Sequence, residues 1–267
     1  MESSCNLESP SDTCYSMVMA HSGLRGHRKK SLAQAERGRT PSNRLKEGLI
    51  ILSAAQDLFT CGLRSRGLPA PRSKLCGAQG ARRVGVESPI QAFRRLHTIF
   101  KSLKIPHALI GGWAAVAWGV VRATRDIDLL ADIAKAIRPP LEKALQEADF
   151  ESEWRKGGLD DPIPELLRLS HTGPWNDIGT PIDVIIASRR FEREALERAA
   201  AVNFAGWKAP VLVPEDIIAM KLSAGGPLDI QDAKMLLEIH KGRLDENLLC
   251  DSCALLRVTR LLRQFRS

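Results

Sequence analysis

The sequence feature that most constrains the fold is residues 108–132, ALIGGWAAVAWGVVRATRDIDLLAD. An apolar stretch ends at Gly111 and Gly112, and a segment of small and apolar residues follows. A second apolar stretch then contains Asp126 and Asp128, one residue apart. Apolar runs of this length between turn residues are typical of buried strands. The run therefore predicts a strand at 107–111, a helix at 112–120 and a second strand at 126–131.

The second strand carries two acids on one face. Side chains at positions i and i+2 of a strand point the same way, with Cα atoms roughly 6.5 Å apart, so Asp126 and Asp128 share a face. Two such carboxylates repel each other unless a cation lies between them, and magnesium, bound at about 2.1 Å from oxygen, suits that gap. A divalent-metal pair is one interpretation. A solvated strand edge with ordinary acids is the other.

The two glycines stand where a strand ends and a helix begins. The first turn of a helix has unpaired backbone N–H groups and the positive end of the helix dipole, which together favour a phosphate group. Glycine also lets the backbone approach a ligand closely. Gly111 and Gly112 therefore predict a phosphate site about fifteen residues before the acidic pair.

The remaining pattern predicts an α+β fold, with a small mixed β-sheet, flanking helices and a helical C-terminal region. Residues 1–87 are predicted to be a mostly disordered basic segment, residues 88–190 the α+β core and residues 191–267 the helical region that completes the cleft. Further predicted elements are helices at 89–104, 138–150, 191–201, 213–224, 228–240 and 245–264, strands at 166–172, 180–187 and 210–213, and a loop at 151–165.

Charge and cysteine content limit the classes of function. Of the net charge of +8, nearly all comes from residues 1–88, which hold 14 Lys and Arg against 7 Asp and Glu. Such a leader is typical of disorder, although RNA binding through it is a further hypothesis. Cys250 and Cys253 form a lone CxxC without a partner pair, so reduced thiols in a cytoplasmic protein are expected. No apolar run approaches the roughly 20 residues of a membrane span.

The combination of the glycine pair with the Arg-x-Thr-x-Asp-x-Asp run resembles the signature of the minimal nucleotidyltransferases of the DNA polymerase β superfamily. The resemblance is to the branch that contains the AbiEii-type toxins, and it covers about residues 90–240. The matching positions are Gly111, Gly112, Arg122, Thr124, Asp126 and Asp128.

Further positions follow from this resemblance. The family's third carboxylate lies on a nearby strand, which here points to Asp183 in TPIDVIIAS, with a surface aspartate near a loop as the alternative. The family's helical motif, a lysine followed by Asp-x-x-Asp, corresponds to Lys221, Asp229 and Asp232. This sequence departs from the motif at Gly226 and Leu228, where relatives often carry arginine and lysine.

The resemblance implies transfer of a nucleoside monophosphate from an NTP to a hydroxyl of RNA, including tRNA, or of protein, with release of pyrophosphate. Asp126, Asp128 and Asp183 would hold two Mg²⁺ ions, for which Mn²⁺ can substitute. Arg122, Thr124 and the Lys221 motif would serve nucleotide and phosphate binding. A toxin role with an antitoxin partner is one setting that the resemblance implies. A catalytically weak nucleotide-binding or protein-interaction module of the same fold is the alternative.

Aromatic and histidine residues near the motif are expected to be structural. Trp113 and Trp118 are five residues apart in the predicted helix, so they cannot both face one partner, and we expect core or cleft wall rather than base stacking. His97, His107 and His171 lack the spacing of metal ligands.

Overall fold

The computed structural model describes residues 89–122, 124, 126–157, 163–171, 182–204 and 207–266. The disorder predicted for residues 1–87 lies outside these ranges. Within them, no helix is long and apolar enough to cross a membrane.

The described chain forms a mixed sheet with helices packed around it, which confirms the predicted fold class. The strands are β1 (His107–Ile110), β2 (Ile127–Ala131), β3 (Phe150–Lys156), β4 (Glu165–His171), β5 (Ile182–Ile186), β6 (Ala200–Phe204) and β7 (Trp207–Val211). The helices are α1 (Pro89–Ser102), α2 (Gly111–Ala117), α3 (Arg138–Glu147), α4 (Arg190–Glu197), α5 (Pro214–Ala224), α6 (Pro227–Ile239), α7 (Glu246–Leu255) and α8 (Thr259–Gln264), with a 3₁₀ turn at Lys135–Ile137.

The order of strands across the sheet is β3-β4-β5-β2-β1-β7-β6. β2 runs parallel to β5, and β1 runs parallel to β7, while the other neighbours are antiparallel. The strands with the most apolar sequences lie at the centre, where Leu109, Leu129 and Val184 are fully buried. Burial of these side chains therefore fixes the register of the central strands, and this register determines where the acidic side chains of β2 and β5 lie.

Helix positions follow simple local rules. Pro89 suits the first turn of α1, and Phe93, Leu96 and Phe100 recur on the buried face of that helix. Proline also opens α5 and α6, and Gly225, in the left-handed conformation with φ 65°, ends α5. These breaks place α5 and α6 as neighbouring helices beside the sheet.

The predicted loop at 151–165 is wrong over its first half, because residues 150–156 form β3. This strand has the sequence FESEWRK and lies at the edge of the sheet, where β4 is its only partner among the strands that the structure describes. Strand β6, at the opposite edge, was also missed. β3 exposes mostly polar side chains and so lacks an apolar signature. The first two residues of β6, Ala200 and Ala201, fall instead within the predicted helix at 191–201.

Two predicted boundaries also differ from the structure. The division at 190/191 does not separate a sheet from a helical region, because β6 and β7 come after it and extend the same sheet. The single helix predicted at 245–264 is two helices, α7 and α8, separated at residues 256–258, where Arg257 has a positive φ of 59°.

Candidate active site

Asp128 and Asp183 lie side by side on the sheet. β2 and β5 are parallel neighbours, and in their register Asp128 is opposite Asp183. Asp126 stands immediately before β2, two residues from Asp128 on the same strand path. Residues opposite each other on adjacent strands point to the same face of a sheet, so two of the three predicted carboxylates share one surface.

Gly111 makes room for the Asp128 carboxylate. Its φ is +66°, and a Cβ on its backbone would lie 2.3 Å from Oδ2 of Asp128. Gly112 is similarly crowded, since a Cβ there would lie 2.7 Å from Oγ1 of Thr124 and 3.3 Å from a guanidinium nitrogen of Arg122. Protein side chains thus fill the space beside both glycines, and a residue with a Cβ would not fit at either position without a shift of its neighbours. Their predicted phosphate-binding role stays a prediction.

Arg168 of β4 holds Asp183. It is opposite Asp183 in the β4–β5 register, and its Nε and one terminal nitrogen donate hydrogen bonds of 2.8 and 3.0 Å to the two carboxylate oxygens. These hydrogen bonds are the largest cause that raises the pKa of Arg168, and the charge of Asp126 adds to it. Sequence reasoning missed Arg168, although a lone cation inside the apolar strand LLRLS was the available signal.

Lys221 lies in a buried network of charges. Its Nζ is 2.9 Å from Oδ1 of Asp229 and 2.8 Å from Oδ2 of Asp232. The same Asp232 oxygen accepts a hydrogen bond of 2.6 Å from Arg122. The structure thus brings four of the predicted nucleotide-binding residues together, and it gives Asp229 and Asp232 a direct role in holding two cations.

A cavity of about 230 Å³ connects these groups. Its polar part is formed by Asp128, Arg168, Asp183, Lys221 and Asp229. Its apolar part lies between β4, β5 and helix α5 and is formed by Ile110, Ile163, Leu166, Ile185, Ile217, Met220 and Ala224, while Gly111 also lies on the wall. A concave apolar surface with a few converging charges is the usual form of a small-molecule site.

Comparison with known proteins gives only structural matches at low sequence identity. No family model and no curated protein sequence matches the chain. Among solved structures, the antibiotic-resistance factor ANT(2'')-Ia is 18% identical with a TM-score of 0.43, and the match covers 65% of this chain and 94% of that one. An antigenic nucleotidyltransferase-like protein from Paracoccidioides brasiliensis is 19% identical, with a TM-score of 0.39 and coverage of 64% and 88%.

A third similar structure is the lincosamide antibiotic adenylyltransferase LnuA, which is 18% identical with a TM-score of 0.36 and coverage of 55% and 96%. The superfamily that the motif resembles stays a prediction, and so does the AbiEii-type branch.

The carboxylates of the site offer the oxygen donors that a divalent cation prefers. Asp126 and Asp128 supply carboxylate oxygens, which magnesium prefers. Both oxygens of Asp183, however, accept hydrogen bonds from Arg168. Across the described ranges, no group of three or more His, Cys, Asp or Glu side chains is arranged to hold a metal ion. The predicted trio of metal ligands is therefore not assembled in this structure.

The tryptophans lie in structural positions. Trp113 is buried in the core, and Nε1 of Trp118 donates a hydrogen bond of 2.7 Å to the carbonyl oxygen of Leu212. His240 packs edge-on against Trp118 at 5.8 Å between ring centroids. Neither indole lines the cavity.

Of the predicted structural histidines, His97 and His107 are hydrogen-bonded to each other at 2.8 Å. The side chain of His171 lies outside the described set. Cys250 and Cys253 are both free thiols, and burial raises the pKa of Cys253 to about 12. A thiol with that pKa is unreactive at neutral pH.

Proposed function

We propose that the chain is a divalent-cation-dependent nucleotidyltransferase that transfers a nucleoside monophosphate from an NTP to a hydroxyl group. The observation that supports this most directly is the placement of Asp128 beside Asp183 on adjacent parallel strands, facing a cavity that also contains Lys221. Asp126 precedes β2 by one residue, as the Asp-x-Asp motif requires. The similarity of the motif to the polymerase β superfamily gives this constellation its chemical interpretation.

Each residue has a role that its position supports. Asp126 and Asp128 would hold the cation, and a bound cation would neutralise charge on the triphosphate. Lys221 contributes a buried positive charge on the cavity wall. Asp183 faces the same cavity and would orient the attacking hydroxyl. The apolar part of the cavity would exclude water around the uncharged part of a substrate.

We extend the proposal to the cation and to the acceptor. Mg²⁺ is the expected cation, with Mn²⁺ as a substitute, because both prefer oxygen ligands. The acceptor would be RNA, including tRNA, or a protein hydroxyl. A role as the toxin of a pair neutralised by an antitoxin protein is part of the same proposal, and it rests on the resemblance to AbiEii-type toxins.

A catalytically weak nucleotide-binding module is the second candidate. Two observations favour it. Arg168 holds both oxygens of Asp183, and Gly226 and Leu228 occupy positions where the family that the motif resembles often has basic residues. A site with fewer cations binds the triphosphate less tightly and stabilises the leaving pyrophosphate less.

Label transfer from each of the four α-³²P NTPs, with Mg²⁺ and with RNA or protein as acceptor, tests the proposal. The expected result is transfer by the unmodified protein and a loss of at least about 100-fold in Asp128→Asn, because a carboxylate that holds the cation is removed. Asp132→Asn is the matched control. Asp132 is a partly exposed acid just after β2 whose carboxylate lies 3.7 Å from Nε of Arg193, outside the cavity, so its substitution should leave transfer unchanged.

Three outcomes decide between the candidates. Transfer lost in Asp128→Asn and kept in Asp132→Asn supports the enzyme. Nucleotide binding without transfer to any acceptor favours the binding module. RNA binding that disappears on removal of residues 1–87, while nucleotide binding is kept, assigns RNA recognition to the basic leader rather than to the cavity.

A further inference from the structure

Three arginines near the C-terminal end of the described chain are exposed. Arg257 lies in the turn between α7 and α8, and Arg260 and Arg263 lie on α8, where residues three apart share one face. None of the three forms an ion pair or a side-chain hydrogen bond with another described residue. These three residues, called the arginine surface below, therefore present their guanidinium groups to solvent.

The positive charge that follows the leader is concentrated in this region. Residues 241–267 hold six Lys and Arg against three Asp and Glu, whereas residues 89–240 hold 19 against 21. Two of the three acids already have partners, because Asp245 caps α7 and Glu246 pairs with Arg266. The excess of positive charge thus remains on exposed side chains.

The backbone conformation at Arg257 is one that favours glycine. Arg257 has φ 59° and follows α7 in a Schellman turn, in which its N–H donates to the carbonyl of Ala254 and the next N–H donates to that of Cys253. Glycine is the usual residue there, because the left-handed conformation costs energy for any residue with a Cβ. Lys104 ends α1 in the same way, with φ 55° and the same pair of hydrogen bonds.

Helix α6 connects the active-site cavity with the arginine surface. Asp229, near the start of α6, lines the cavity, and Lys234 lies five residues later, about 7.5 Å along the helix axis. Nζ of Lys234 lies 4.4 Å from the ring centroid of Phe265, which directly follows α8. Lys234 and Lys241 also line a groove of about 680 Å³ together with Gln264 of α8. A polymer bound along α8 would therefore lie next to the helix that carries Asp229.

The chemistry of the arginine surface fits phosphate groups. A guanidinium presents its N–H donors in a fixed fork that matches the oxygens of a phosphate, and contacts of this kind position proteins on nucleic acids. The apolar side chains of α8, Leu261 and Leu262, pack toward the core. Helices that insert into a membrane surface instead turn an apolar face outward, so a membrane is the less suitable partner.

We propose that Arg257, Arg260 and Arg263 bind the phosphate backbone of RNA and hold an RNA acceptor next to the active-site cavity. The inference rests on the proposed function only for the use of that RNA as an acceptor, because RNA binding can be measured without turnover. Contacts to phosphates carry no sequence information. Binding is therefore expected to depend strongly on salt and little on the sequence of the RNA.

Fluorescence anisotropy of a labelled single-stranded RNA of mixed sequence, titrated with the full-length protein at several salt concentrations, tests the inference. The arginine variant combines Arg257→Gln, Arg260→Gln and Arg263→Gln. It is expected to bind RNA at least about tenfold more weakly than the unmodified protein. The slope of its log affinity against log salt concentration should be shallower by about 2, because three phosphate contacts are lost.

A matched control removes the same charge from another surface. It replaces with glutamine three exposed cations, in α1 and just after it, that form no ion pair among the described residues: Arg94, Lys101 and Lys104. This α1 variant should bind RNA like the unmodified protein. Circular dichroism verifies the fold of both variants.

Arg257→Gly separates RNA binding from folding. Glycine adopts the left-handed conformation readily, so this variant should unfold at a urea concentration no lower than that of the unmodified protein. It should nevertheless bind RNA at least about twofold more weakly, because one phosphate contact is lost. Lys104→Gly makes the same backbone change and removes the same charge at the end of α1, and it should keep the RNA affinity.

Several results would overturn the inference. Equal RNA affinities of the arginine variant and the α1 variant would do so, as would equal affinities of Arg257→Gly and Lys104→Gly. Phosphatidylserine vesicles that bind the unmodified protein but not the arginine variant, while RNA binding is unchanged, would assign the surface to a membrane. Polyglutamate that displaces labelled RNA as well as unlabelled RNA does would assign it to an acidic protein.

The inference and the proposed function can fail separately. Weaker RNA binding by the arginine variant, together with an absence of nucleotide transfer by the unmodified protein, contradicts the proposed function alone. Transfer of nucleotide to RNA, together with equal RNA affinities of all variants, contradicts the inference alone.

Discussion

At the scale of single residues, glycine rather than charge determines whether the acidic site can form. Asp128 can point into the cavity because Gly111 leaves the space that its carboxylate fills. Thr124 and Arg122 use the space beside Gly112 in the same way. The glycine pair and the Asp-x-Asp run are therefore two parts of one packing arrangement, which gives a physical reason for their occurrence together in the sequence.

Gly111→Ala is expected to disrupt the site, and Gly242→Ala is its matched control. Both glycines have positive φ, 66° and 72°, so alanine is strained at either position by about 1 kcal/mol or more. At Gly242 a Cβ meets nothing within 4 Å, whereas at Gly111 it lies 2.3 Å from Asp128. Urea unfolding should show an additional loss of about 1 to 3 kcal/mol for Gly111→Ala, typical of overpacking.

The same pair of variants separates strain from function. Mn²⁺ affinity should fall only in Gly111→Ala, because only there must the Asp128 carboxylate move. Equal unfolding free energies for the two variants, or unchanged Mn²⁺ binding by Gly111→Ala, would show that the carboxylate does not depend on this glycine.

At the scale of elements, the charge network joins the segment before β2 to helices α5 and α6. Arg122 comes from that segment, Lys221 from α5, and Asp229 and Asp232 from α6. Nearly all of this network is shielded from water, so its members depend on one another. The network fixes the helices that form one wall of the cavity relative to the strand that carries the Asp-x-Asp motif.

Asp232→Asn is expected to destabilise the fold by about 3 kcal/mol, because two cations lose a charged partner in a poorly hydrated position. Asp251, an exposed acid on α7, provides the control, and Asp251→Asn should stay within about 0.5 kcal/mol of the unmodified protein. Urea unfolding of both variants measures the difference. Similar unfolding free energies for the two variants would mean that the network is hydrated and contributes little to the stability of the fold.

A double-mutant cycle shows whether Lys221 and Asp232 act as a pair. Lys221→Met with Asp232→Asn should lose less stability than the two single variants together, by at least about 1 kcal/mol. Additive losses would contradict direct coupling between the two side chains.

At the scale of the whole molecule, the central strands and the proline-initiated helices could be predicted from the sequence. β1, β2 and β5 have apolar sequences because they are buried at the centre of the sheet, and apolar runs of this kind are a strong indication of a strand. The edge strand β3 left no such signal, because its sequence is polar. Arg168 could not be assigned to Asp183 in advance, since the contact depends on the register between β4 and β5 and not on local sequence.

His107, which lies where α1 packs against the start of the sheet, makes the stability of the protein depend on pH. His107, on β1, forms a hydrogen bond of 2.8 Å with the carbonyl oxygen of Ile105 through Nδ1 and one of 2.8 Å with Nδ1 of His97 through Nε2. Burial, as the main cause, lowers the pKa of His107 from 6.5 to about 4. The folded protein therefore holds this imidazole neutral, with Nε2 as the acceptor, where the unfolded chain takes up a proton.

This lowered pKa predicts a loss of stability in mild acid. The contribution of His107 to the free energy of unfolding is fully present above pH 6.5. It declines as the pH falls from about 6.5 to about 4, by at most about 3 kcal/mol. Urea unfolding at pH 7.5, 6.0 and 5.0 should show this decline, and His107→Gln should make it shallower because glutamine takes up no proton. The difference between the two curves reports the hydrogen-bonded pair of His97 and His107, because burial and the charge of Lys101 also lower the pKa of His97. Parallel curves would contradict a neutral buried imidazole at His107.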